Sequence, residues 1–192
     1  MAGELIQATT KVYGNYRGLV EDNADPLKLG RCRIRIYPLF KDMEATVLPW
    51  SVPAMGLFDG AGIAGGCMAV PKIGTYVFCF FEAGDIYQPV YFAEAQTAAH
   101  GVMSDDPNVK AWITSGGFTI HIDDTNQTIR VVHPSGSEIN MDNADGTISI
   151  QSTGSKIDIV SAGDVNVNAS GKVDVTATGN VTIQGALVSI NP

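Results

Sequence analysis

Gly163-Asp-Val-Asn-Val-Asn-Ala-Ser170, Gly171-Lys-Val-Asp-Val-Thr-Ala-Thr178 and Gly179-Asn-Val-Thr-Ile-Gln-Gly-Ala186 are three octads in succession, and Ser155 to Ala162 is a degenerate fourth. A fixed internal period decides architecture before local propensity does. Eight is even and side chains alternate along a strand, so one face is kept through every repeat. Ile157, Ile159, Val165, Val167, Val173, Val175, Val181 and Ile183 fall on one side. Lys156, Asp158, Asp164, Asn166, Lys172, Asp174, Asn180 and Thr182 fall on the other, with Val160 the main exception.

Each octad ends in a small residue and turns into Gly163, Gly171 or Gly179, which suits a corner free of Cβ. Strands of about six residues joined by glycine corners wind as a three-sided prism, a β-helix. The stretch from Gly146 gives one chain roughly two turns, and repeats need neighbours before they are stable. Three chains about one axis supply those neighbours and turn the Val/Ile face into a shared core. The octads therefore predict an obligate homotrimer, with a single-chain stack as the alternative.

Working outward, aromatic residues mark a change of composition. Beyond residue 110 only Trp112 and Phe118 occur, so the remainder packs with aliphatic side chains, and no proline interrupts it between Pro134 and Pro192. Gln96 to Gly101 and Ser104 to Asn108 read as linker and turn. Before them, short strands are expected at 15–22, 30–37, 46–52, 66–70, 75–81 and 89–93, with Cys32, Ile34 and Ile36 on one face of the second and Arg31, Arg33 and Arg35 on the other. Five or so strands in about 85 residues fit a small closed barrel of the oligonucleotide/oligosaccharide-binding (OB) type. The expected organisation is an arm over 1–11, an OB-fold domain over 12–95, a linker over 96–110, a β-strand neck over 111–145 and the octad segment over 146–192.

The formal charge of −8 is shared by both parts, with nine basic against twelve acidic residues up to Lys110 and three against eight after it. That balance opposes non-specific contact with nucleic acid or anionic membrane. No apolar run is long enough for a membrane span and no signal peptide opens the chain, so cytosolic synthesis and folding are expected. Cys32, Cys67 and Cys79 have no metal spacing and read as buried thiols. Asp105-Asp106 and Asp123-Asp124 read as turn residues, because adjacent strand positions face opposite ways and no calcium loop follows. His121 and His133 read as polar-face and turn residues. The glycine-rich stretch from Gly56 to Gly66 lacks the Gly-Lys-Ser/Thr ending and following helix of a phosphate loop. No catalytic, cofactor or metal site is predicted. The one basic cluster, Arg31, Arg33 and Arg35, is the best case for a nucleic-acid groove, but its acidic surroundings oppose one.

Gly30-Arg-Cys-Arg-Ile-Arg-Ile-Tyr37, Pro71-Lys-Ile-Gly74 and Phe80-Phe-Glu-Ala-Gly84-Asp85 resemble the OB domain of central spikes from contractile injection machines: the phage baseplate assembly protein V family, hub spikes of phage baseplates and the VgrG spikes of type VI secretion. The resemblance continues through Thr114 to Asp124 and His133 to Asp142 into the octads. It implies an all-β chain, an N-terminal OB-fold barrel followed by an intertwined trimeric triple-stranded β-helix. The implied role is that of a non-enzymatic needle on a phage tail baseplate or tailocin, assembled in the host cytoplasm. A type VI secretion spike and an OB-fold nucleic-acid-binding module are the alternatives. The linker is too short for the lysozyme domain that some relatives insert, and the few residues before Val12 imply a separate hub protein. With no histidine after His133 for an iron-bound apex, the end is expected to be blunt, with Leu187, Val188, Ile190, Asn191 and Pro192 meeting a PAAR-type tip protein. Resemblance directs Gly60, Gly62 and Gly65 toward the hub, and Arg31, Arg33 and Arg35 read as a salt-bridged face toward the hub or a neighbouring subunit. The host outer envelope is the expected transient contact, and no nucleic acid is expected as a partner.

Overall fold

The computed structural model describes residues 11–56, 68–97, 105–154 and 156–190. The chain divides into two units, Met1–Met103 and Ser104–Pro192.

In the first unit, β1 (Tyr16–Asp22), β2 (Cys32–Ile36), β3 (Trp50–Pro53), β4 (Tyr76–Phe81) and β5 (Pro89–Glu94) close into a barrel in the order β1-β2-β3-β5-β4. β1 pairs with both β2 and β4, with a register shift between Val20 and Asp22. β3 and β5 run parallel, and the other pairs are antiparallel. This is the OB-type barrel expected from the strand spacing. Alternation selects its inner side: Val20, Cys32, Ile34, Ile36, Val77, Cys79 and Phe81 are buried, with Phe40 and Leu48 added from the connections. Gly18 lets β1 lie close against β2. A Cβ there would lie 2.4 Å from Ile34 Cγ2 and 3.3 Å from the Arg35 carbonyl.

Two local expectations are corrected. Residues 46–52 do not form one strand: Ala45–Val47 is a 3-10 turn and β3 starts at Trp50. Pro49 separates them and has no N–H for a ladder. Met68–Val70 carry no strand either. Their side chains cover Gly30, where an added Cβ would meet Met68 Sδ at 2.8 Å and Val70 Cγ2 at 3.4 Å.

The second unit begins with a meander. β6 (Val109–Ile113), β7 (Thr119–Asp123), β8 (Thr128–Val132), β9 (Glu138–Asp142) and β10 (Thr147–Gln151) form one antiparallel sheet in sequence order. β10 extends the ladder into the span read from sequence as the start of the octads. Residues 156–190 belong to no ladder, and their backbone bends at 162–163, 170–171, 178–179 and 186. Among the described residues no β-helix winds within this single chain.

Candidate assembly surfaces

On the barrel exterior, alternation places Arg33 and Arg35 on one side of β2 with Arg31 just before it, and each finds partners within its own chain, although the buried Nε of Arg33 has no hydrogen-bond partner. Arg31 grips Asp25 from Nη2 at 2.7 Å and from Nε, while the Asp25 carboxylate also accepts the backbone N–H groups of Leu27, Leu29 and Arg31. The Arg31 guanidinium holds the Asp25 carboxyl well below the usual range, and Asp25 in turn raises the Arg31 pKa. Arg33 lies 4.8 Å from the Trp50 ring centroid and donates to the carbonyls of Ala45 and Thr46. Arg35 meets Glu21 at 2.5 Å and donates from Nη1 to the carbonyls of Phe40, Lys41 and Met43, closing the loop after β2. These cations tie loops to the barrel rather than forming a free phosphate-reading stripe. Gly60, Gly62 and Gly65 lie outside the described residues.

Sequence reading missed an aromatic patch on the barrel exterior, carried by β4 and β5. Phe92 stacks on Phe78 at 6.1 Å between centroids and lies 6.0 Å from Phe80, and Arg17 sits 5.5 Å from the Phe78 ring. Its signal was the second alternation within β4: while Val77, Cys79 and Phe81 point inward, Tyr76, Phe78 and Phe80 point out.

The ladder registers of the second unit sort it into two faces. Trp112↔Ile120, Ile120↔Val131, Ile129↔Met141, Val131↔Ile139, Met141↔Ile148 and Ile139↔Ile150 form continuous apolar rows. The opposite face carries the row Ala111, His121, Arg130, Asn140, Ser149. A sheet with one apolar face needs a second layer, yet Trp112, Ile120, Ile129, Val131, Ile139, Met141, Ile148 and Ile150 all remain exposed.

The octads continue this condition. Ile157, Val165, Val173 and Val181 retain 51–58% of their exposure, and Ile159, Val167, Val175 and Ile183 retain 71–79%. The near-constant values at equivalent positions reflect one local conformation repeated four times. Gly163, Gly171 and Gly179 stand at the bends, but none has a positive φ, and a Cβ on any of them would meet nothing within its own chain. Leu187, Val188 and Ile190 are also exposed, while Asn191 and Pro192 lie outside the described residues.

The remaining chemical candidates have local explanations. Asp123 accepts from the backbone N–H and side-chain amide of Asn126, which lowers its pKa, and Asp124 pairs with Lys110. Asp106 accepts the Asn108 N–H at 2.8 Å. His133 shares Nδ1 with Ser135 and packs edge-on against Phe118 at 4.9 Å. His121 faces the polar row with its Nδ1 buried and unpaired. Cys32 and Cys79 are free and buried, and burial pushes the Cys79 thiol up to about 12 and raises that of Cys32. Cys67 lies outside the described residues. Among the described residues no group of three His, Cys, Asp or Glu side chains is placed to hold a metal, and no helix is long and apolar enough to cross a membrane.

Residues 16–94 match the family model of the type VI secretion system/phage-baseplate injector OB domain. The match begins at the first residue of β1 and ends at the last of β5. No curated protein matches the chain.

Proposed function

Because residues 16–94 belong to the injector OB-domain family of type VI secretion systems and phage baseplates, we propose that the chain is a non-enzymatic spike protein that works as a homotrimer on a contractile tail baseplate. Three barrels form a collar beneath a hub protein, and three second units wind into a triple-stranded β-helix. Sheath contraction drives this needle through the host outer envelope. The observation that carries the reading is the repeated apolar face, which is left at least half exposed at every position from Ile157 to Ile183.

The chemistry supports a mechanical role. Ile157, Ile159, Val165, Val167, Val173, Val175, Val181 and Ile183 form the axial core, and Gly163, Gly171 and Gly179 form the corners. Interchain ladders would satisfy the backbone groups of 156–190 that have no ladder partner within one chain. Removing one strand from such a needle breaks hydrogen bonds to two other chains at once, so axial load is shared. The barrel face with Arg31, Arg33 and Arg35 and the loop with Gly60, Gly62 and Gly65 turn toward the hub. Leu187, Val188, Ile190, Asn191 and Pro192 seat a PAAR-type tip protein. A virion tail is the favoured setting, with a type VI secretion spike as the second reading, since the matched family spans both.

Light scattering with negative-stain imaging tests this. An elongated particle of three times 20.3 kDa is expected. A folded monomer would overturn the assignment.

A further inference from the structure

The apolar pattern of the octads leaves one thing undetermined. Because the repeats are equivalent, sliding one chain past another by a whole octad returns every Val, Ile and corner Gly to an equivalent place. A one-residue slip is forbidden by the faces, but an eight-residue slip is not. Only wet-face positions that differ between octads distinguish the correct register.

Those positions carry charges that alternate over the first three octads. The second position of successive octads reads Lys156, Asp164, Lys172, Asn180, and the fourth reads Asp158, Asn166, Asp174, Thr182. Within the chain, Lys156 Nζ meets Asp158 Oδ2 at 2.7 Å and Lys172 Nζ meets Asp174 Oδ2 at 2.8 Å, on the same side of the backbone. The Asp164 carboxylate makes no ion pair among the described residues. When three chains interleave around a threefold axis of a three-sided prism, each side rises by one strand, so an octad lies beside the next octad of a different copy. Neighbouring strands are then about 4.8 Å apart and in register.

We propose, resting on the three-chain reading above, that the wet face is the register lock of the trimer. Asp164 of each copy lies between Lys156 of one neighbour and Lys172 of the other. In this arrangement the second position pairs Lys with Asp twice, and the fourth always separates Asp from Asp by Asn or Thr. A slip of one octad in one direction stacks each octad on its own equivalent, Lys on Lys and Asp on Asp. A slip in the other direction puts Lys156 beside Lys172 and Asp158 beside Asp174. A single chain wound three octads per turn would set Lys156 beside Asn180, leaving Asp164 without a cation. Exposed pairs of this kind contribute little stability each; their effect is to make the wrong registers repulsive.

Disulfide trapping reads the register directly. In a Cys67→Ser background, D164C/K172C is oxidised and run on a non-reducing denaturing gel. Adjacent strands fall within the Cα separation that a disulfide accepts, about 4.4–6.8 Å, and strands two apart do not. The expected product is a covalent species of three times 20.3 kDa from D164C/K172C, with D164C/N180C remaining at monomer mass. Linkage in D164C/N180C, or none in D164C/K172C within a trimer, overturns the register and leaves the trimer standing. A monomeric Cys67→Ser parent by light scattering overturns the three-chain reading itself. If the double-cysteine protein does not assemble, Asp164→Asn and Asp164→Lys decide. Both are expected to lower the trimer's melting temperature at low salt, Lys more than Asn, with the difference shrinking at high salt. Unchanged melting would sink the lock.

Discussion

Val173→Asp places a carboxylate in the third octad on the face assigned to the trimer axis. Burying a valine that starts exposed contributes about 1.5–3 kcal/mol. Val173 keeps 55% of its exposure in the single chain, so roughly 1 kcal/mol per chain, about 3 kcal/mol per trimer, is still to be gained on assembly. Aspartate forfeits that gain and adds an ion whose effective desolvation costs several kcal/mol, three times over around one axis. The sum exceeds about 10 kcal/mol, comparable to the whole stability of an ordinary domain. At neutral pH the variant is expected to scatter light as a 20.3 kDa monomer with its barrel still folded. The neutral acid is the form that can be buried, so assembly raises the Asp pKa above its free value of about 3.9. The defect is therefore full above the raised pKa and eases as pH falls through it. Val173→Asn should show no such recovery. A V173D trimer at neutral pH would refute the assignment of faces.

Other consequences concern the barrel. Gly18→Ala drives a methyl to 2.4 Å from Ile34 Cγ2; it should cost about 1–3 kcal/mol in denaturant unfolding, with part recovered by adding Ile34→Val, and a neutral effect would show that β1 shifts freely. With the Cys79 thiol pushed up to about 12 by burial and Cys32 also raised, a Cys67→Ser protein should give no reaction with a thiol reagent at pH 8 until it is denatured, when both thiols react; rapid reaction of the native protein would contradict their placement. The Asp25 carboxyl is depressed by Arg31, so its stabilisation is complete above the free value of about 3.9 and is lost as pH falls toward the folded value. Wild-type melting temperature should thus drop more steeply below about pH 4 than that of Asp25→Asn, and parallel curves would remove the pair from the account.

The inner side of the barrel was legible because Cys32, Ile34 and Ile36 alternate with arginines, and a period of two has only one inward choice. What those arginines do was not legible. Arg31 reaches Asp25 through a loop fold, and Arg35 reaches Glu21 across the β1–β2 ladder together with three carbonyls of the next loop. Such pairings depend on loop paths that alternation does not encode. Met68–Val70 carry no strand, and their contact with Gly30 is likewise set by a loop path that alternation does not encode. In the second unit the dry face was visible residue by residue, but its extent across five strands depends on hairpin registers set at the turns. The octads give no ladder within one chain, as the proposal that their neighbours are other chains requires.

The backbone bends every eighth residue from 162–163 to 186, and in the proposed needle this makes length a counted quantity. Adding or deleting a whole octad would change its length by about one strand spacing, roughly 4.8 Å, with no change of cross-section. The alternation of Lys156, Asp164 and Lys172 makes the natural increment two octads, since one alone would bring like charges together. On that proposal, reach toward a thicker or thinner envelope would be available through duplication in sixteen-residue units, without redesign of barrel or core.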